Sequence, residues 1–195
     1  MNTTERTILQ KAFDFATEKH SNQLRKASKF PYMLHIYDVA HILYKNHADE
    51  TTILAGILHD TLEDTYTTPS EIETLFGKEV LEIVMEETEN KSLSYKERKQ
   101  ERIDSLKHGN IQSKMVKCAD MLSNLSDIKT DLSLMGDHVW AKFNAPKQDI
   151  EWYYSSMIES MQELNSLPEM KMYQQLKKLF LKVFHDNFSK ATKQA

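Results

Sequence analysis

Between Ile57 and Thr65 the chain reads ILHDTLEDT, which gathers His59, Asp60, Glu63 and Asp64 at the end of an apolar, helix-like run. Removing a charge from water without a partner costs on the order of several kcal/mol, so such a cluster is either solvated or holds something cationic. On a helix, residues three and four apart share a face, which places Asp60 beside Glu63 and Asp64, and His59 beside Glu63. Imidazole and carboxylate together suit a divalent ion such as Mn²⁺, which keeps coordination positions open for water. One helix end does not complete that shell. His35 and Asp120 are the candidates for the remaining ligands, because each stands in an apolar helical context where an unpaired ionisable side chain is costly.

The elements that must position these residues read as helices. With only four glycines and four prolines in 195 residues, and with Leu, Glu, Lys, Met and Gln frequent, the expected fold class is all-α. The length suits a single domain over 1–195 with its own core. A first helix is expected from about Thr4 to His20, capped by Thr3 or Thr4, with Ile8, Ala12, Phe15 and Ala16 on its inner side. Pro31 is expected in the first turn of a second helix that reaches Asn46 and carries His35 near its start. A third, from about Glu50 to Leu62, is apolar on most sides and ends in the charged cluster. The run TTPSEIETLFG reads as a capped short helix with Pro69 at its first position, Glu71 and Glu73 in its first turn and Gly77 as its stop.

Lys78 to about Asn90 gives another amphipathic helix. The following SYKERKQERIDSLKHG is so charged that it is expected to lie solvated, packing lightly and ending at Gly109. From Ile111 to about Asp127 apolar residues recur at helical spacing, with Lys117, Asp120 and Asn124 set among them. Two further long helices, one aromatic-rich and one basic and amphipathic, are expected to be interrupted at Pro168.

Composition also narrows the partners. A formal charge of -4 gives no general attraction to nucleic acid, so no nucleic-acid partner is expected and an anionic ligand must meet a local basic cluster. No apolar run approaches the roughly 20 residues that a membrane span needs, and no membrane partner is expected. The single cysteine, Cys118, reads as a small buried hydrophobe and has no second thiol to pair with. With no signal-peptide pattern at its start, the chain is expected in the cytoplasm. Oligomeric state stays open, because apolar C-terminal faces could pack internally or against a second copy.

The order His35, then His59-Asp60, then Asp120 resembles the signature of the HD superfamily of metal-dependent phosphohydrolases. The stretches QLRKASKFPYMLH, AGILHDTLEDT, FGKEV and MVKCADMLSNLSDI, in that order, are similar to the RelA/SpoT-type hydrolase domain and closest to its stand-alone small alarmone hydrolases. The resemblance implies an HD-type bundle of about eight to ten helices, with a motif-bearing part over about 18–152 and C-terminal packing helices over 153–195. It implies Mn²⁺-dependent hydrolysis of the 3′-pyrophosphate of (p)ppGpp, giving GDP or GTP and pyrophosphate. His35, His59, Asp60 and Asp120 would then be metal ligands, and Glu63 and Asp64 the catalytic pair that positions and activates the attacking water. Arg25, Lys26 and Asn124 would bind substrate, and Lys117 is a further candidate for offsetting phosphate charge.

Two departures from that family bear on substrate choice. Met121 stands where a basic residue is common and Ser123 where a ring-bearing one is common, both expected near the nucleotide. The same metal site acting on (p)ppApp or on the 2′-phosphate of NADPH is therefore the alternative, and a nucleotide-binding module without turnover is the non-enzyme alternative. Taken singly, His35 would read as a core or cap histidine and Glu63-Asp64 as a solvated helix end; the ordered motifs outweigh those readings. Trp152, Tyr153 and Tyr154 read as core, with room for one of them to line the pocket.

Overall fold

A computed structural model describes residues 3–26, 28–88, 92–167 and 170–186. Among them are ten α-helices and two 3-10 segments, and the sole β feature is an isolated antiparallel bridge between Leu24 and Pro31. The helices are α1 Thr3–Lys19, α2 Met33–Lys45, α3 Glu50–Leu58, α4 Thr61–Asp64, α5 Pro69–Phe76 and α6 Lys78–Glu87, then α7 Tyr95–His108, α8 Ile111–Met135, α9 Lys147–Ser160 and α10 Met172–Phe184. Both Thr3 and Thr4 lie inside α1. The expected ends at Asn90 and Pro168 fall outside the described residues.

The long α8 is the axis of the bundle. It packs against α10, α2, α3 and α6, while α7 lies on α9 and α6. Its apolar spacing does not stop at Asp127 as expected but continues through Ile128 and Leu132, both buried, until Gly136 ends it with φ 59°, a left-handed conformation that glycine adopts without Cβ strain. Around α8 the buried residues form one cluster, including Ile36 and Leu43 of α2, Ile57 and Leu58 of α3 and Leu176 of α10.

Three further expectations are corrected. Pro31 stands outside α2, where it pairs with Leu24 across the bridge, and the helix begins only at Met33. The third helix does not run through to Leu62: α3 ends at Leu58, Asp60 takes φ -96° and ψ -3°, and α4 restarts at Thr61. There the Thr61 hydroxyl donates to the Leu58 carbonyl at 2.7 Å, the local competition by which threonine diverts a helix. The charged α7 is not merely solvated, since Arg102, Ile103 and Leu106 are buried. The α5 start is as expected, with a Thr68–Glu71 capping box and Pro69 in the first turn, although Glu73 lies past that turn.

Candidate metal centre and cleft

The break between α3 and α4 is what assembles the site. Gly56 lets α3 approach α2 so closely that a Cβ on it would stand 2.3 Å from Leu43 Cδ1. That approach brings His35 of α2 and the His59-Asp60 corner against Asp120 of α8. His35 Nε2 lies 3.4 Å from Asp120 Oδ1 and 3.8 Å from Asp60 Oδ2. His59 Nε2 lies 2.9 Å from Asp60 Oδ2 and 3.9 Å from Asp120 Oδ1. Donor atoms of His35, His59 and Asp120 all fall within 4.8 Å of one another, a spacing that fits one cation. Asp60 adds a carboxylate oxygen beside them.

The side-chain chemistry fits a divalent metal on two grounds. His59 Nδ1 donates to the Gly56 carbonyl at 2.9 Å, and His35 Nδ1 is paired with Ser123 Oγ at 2.9 Å. Fixing Nδ1 leaves each Nε2 to face the carboxylates, the orientation that metal-binding imidazoles take. Both Nε2 atoms are also fully buried without an aligned hydrogen-bond partner, a cost that a bound cation would offset.

Electrostatics agree. Burial pulls the His59 imidazolium down, but the adjacent Asp60 carboxylate outweighs it and the pKa is pushed up to about 9. Burial opposes ionisation of Asp60 and Asp120, yet His59 holds Asp60, and Lys117 holds Asp120, well below the usual carboxylate range. Tyr32 is raised well above the usual phenol value by burial and then by Asp60, and its hydroxyl donates to Asp60 Oδ2. The carboxylates are therefore anionic and the phenol a donor at neutral pH.

Beside these residues opens a cleft of about 810 Å³. Glu63, Asp64, Arg25, Lys26, Lys117 and Asn124 all line it, together with His35, Asp60 and Asp120, whereas His59 lies behind the lining. Their environments differ: Glu63 is half-buried, while Asp64 and Lys26 are exposed. Arg25 donates from Nε to Asp127 Oδ2 at 2.9 Å, and from Nη2 to Asp127 and to Asn124 Oδ1; Asn124 Nδ2 in turn donates to Asp120 Oδ1. Lys117 Nζ is lodged between Glu87 Oε2 and Asp120 Oδ2, at 3.0 Å from each. Of the two departures, Met121 lines the cleft, but Ser123 is buried behind His35 and is not part of the lining. Tyr153 and Tyr154 also line it, whereas Trp152 packs half-buried against the core.

Sequence reasoning missed Tyr32, Gly56, Glu87 and the role of Ser123. Tyr32 stands within PYMLH, three residues before His35, which was the available signal. Glu87 carried none, because its importance lies in contacts with α7 and α8.

An all-helical fold with paired His and Asp at the end of a cleft defines a class, and a family model described as HD domain matches residues 12–151: the chain belongs to the HD domain family. It is 36% identical over 179 residues to a Danio rerio protein named guanosine-3′,5′-bis(diphosphate) 3′-pyrophosphohydrolase MESH1, covering 89% of this chain and 95% of that one. The Homo sapiens protein of the same name is 41% identical over 128 residues, covering 64% of this chain and 72% of its own. Among solved structures, one titled as a metazoan ortholog of SpoT that hydrolyzes ppGpp and plays a role in starvation responses matches with TM-score 0.71 and 27% identity, over 90% of this chain and 94% of that one. A Listeria monocytogenes EGD-e protein matches with TM-score 0.72 and 35% identity, over 78% of this chain and 99% of its own.

Proposed function

We propose that the chain is a metal-dependent 3′-pyrophosphohydrolase of (p)ppGpp, releasing pyrophosphate and leaving GDP or GTP. The observation that carries this is the pair of buried Nε2 atoms converging on two anionic carboxylates at one end of a nucleotide-sized cleft; the named relatives supply the substrate. His35, His59, Asp60 and Asp120 would hold the cation, with Mn²⁺ the metal we favour. Such a cation supplies Lewis acidity and makes a water acidic enough to be deprotonated at neutral pH.

The chain's own residues do the rest. Glu63, half-buried in the lining of the cleft, accepts the proton of the attacking water, and Asp64, exposed on the same short helix, orients that water. Tyr32 fixes Asp60 by donating to one of its oxygens. Arg25, held by Asp127 and Asn124, and Lys26 face the phosphates and offset their charge while the bond between phosphorus and the 3′ oxygen breaks and that oxygen departs with GDP or GTP, taking up the proton that Glu63 received. We further propose a single domain over residues 1–195 that acts in the cytoplasm on a small-molecule nucleotide.

Met121 in the cleft wall gives one reason to weigh another nucleotide, since no basic side chain stands there. Turnover of ppGpp, ppApp and NADPH by Mn²⁺-loaded protein, measured side by side, tests the choice: ppGpp is expected to be cleaved fastest. Intact ppGpp beside cleaved ppApp or NADPH would keep the centre and change the substrate, and inertness to all three would leave only a binding module.

A further inference from the structure

Four charged side chains alternate in sign across three helices, Glu87, Lys117 and Asp120 in the cleft lining and Arg102 behind it. Glu87, the last residue of α6, is buried, and its Oε2 accepts from Arg102 Nη2 of α7 at 2.9 Å while standing 3.0 Å from Lys117 Nζ of α8. Lys117 Nζ donates onward to Asp120 Oδ2 at 3.0 Å, and the other oxygen of Asp120 is the one that faces His35 and His59. Glu87 and Arg102 offer no atom to the cation site. Their side chains are nonetheless 1% and 6% exposed, so both charges were taken out of water to be there, and each depends on its neighbour.

The geometry explains what that arrangement does. A lysine placed between two carboxylates divides its attraction between them, so Asp120 is only partly neutralised and its Oδ1 stays anionic toward the imidazoles. Were Lys117 left with Asp120 alone, its ammonium would compete with a cation for the same carboxylate. A merely structural ion pair would have no need to end on the carboxylate that faces the metal donors.

We propose that Glu87, anchored by Arg102, is a positioning residue for the metal centre: it holds Lys117 on the Oδ2 side of Asp120 and shares its charge, keeping Oδ1 available to the cation. This rests on reading His35, His59, Asp60 and Asp120 as the cation site. Glu87→Gln then weakens metal binding through Lys117, and the effect vanishes once Lys117 has no charge.

The test is a calorimetric titration of Mn²⁺ into the metal-free parent, Glu87→Gln, Lys117→Met and the double variant, with the melting of each metal-free protein followed alongside. Glu87→Gln is expected to raise the Mn²⁺ Kd by about tenfold to a hundredfold. Lys117→Met is expected to bind within about threefold of the parent, and the double variant to follow Lys117→Met. Parent-like binding by Glu87→Gln, or losses that simply add in the double variant, would overturn the inference. If Glu87→Gln does not fold, Glu87→Asp keeps the charge but draws the carboxylate back by one methylene; a smaller loss in the same direction supports the inference and an unchanged Kd overturns it. A parent that binds no Mn²⁺ at all overturns the metal reading itself, and this inference with it.

Discussion

Asp120 joins the imidazoles to the cleft wall: one oxygen meets His35, His59 and Asn124, the other meets Lys117. Asp120→Ala is accordingly expected to lose bound metal and turnover together, as measured by metal content and pyrophosphate release. Glu63→Ala should keep the metal and lose about 10²–10⁴-fold in kcat, the usual contribution of a positioned general base. Metal binding should also depend on pH with a definite sign. The His59 proton, held up to a pKa of about 9, must leave before its nitrogen can bind a cation, so affinity rises with pH by about tenfold per unit and levels off near that value. In the metal-free protein the sign is opposite: stability from the His59–Asp60 pairing is fully present below the ordinary imidazole pKa and is lost as pH rises through about 9. Melting curves and Mn²⁺ titrations over the same buffers separate the two. At this scale the convergence of His35, His59 and Asp120 was legible because ionisable side chains in apolar helices need a reason, whereas Ser123 and Tyr32 look ordinary until their partners His35 and Asp60 are brought to them.

The helices matter mainly for where they stop and how closely they approach. Gly56→Ala would press a methyl into Leu43 of α2, whose side chain is fully buried, and Val39 Cγ1 stands only 3.4 Å from the same point. Overpacking of that kind costs about 1–3 kcal/mol, seen as a fall in melting temperature of roughly 2–4 °C per kcal/mol for a chain of this size. Because the Gly56 carbonyl also holds His59 Nδ1, the same variant should bind metal more weakly; an unchanged Mn²⁺ Kd would show that α3 shifts without disturbing the imidazole. Helix identities were readable from the 3.6-residue apolar spacing and from the Thr68–Glu71 capping box. The stop at Leu58 was not, since Leu62 follows Leu58 at helical spacing and the Thr61 hydroxyl tips the balance only locally. The length of α8 was underestimated for the converse reason: polar Asp127 faces the cleft and Lys129 the solvent, while Ile128 and Leu132 are buried in the core.

For the molecule as a whole, an acidic chain offers an anionic ligand a cleft in which several basic groups are already matched, Arg25 with Asp127, Lys142 with Asp131 and Lys117 with Glu87 and Asp120, while Lys26 stands exposed at its wall. Among the described residues no helix is long and apolar enough to cross a membrane. Nucleotide binding should therefore register as stabilisation of the whole fold. In Glu63→Gln with Mn²⁺, ppGpp at a hundred times its Kd should add about 2.7 kcal/mol and raise the melting temperature by several degrees; no shift would mean that the cleft does not hold this ligand. The central claim is tested most directly by the products of ppGpp hydrolysis, followed first with metal-stripped protein and then after Mn²⁺ is restored. Equal amounts of GDP and pyrophosphate appearing only with metal are the expected result; intact ppGpp with metal present, or orthophosphate in place of pyrophosphate, would contradict it.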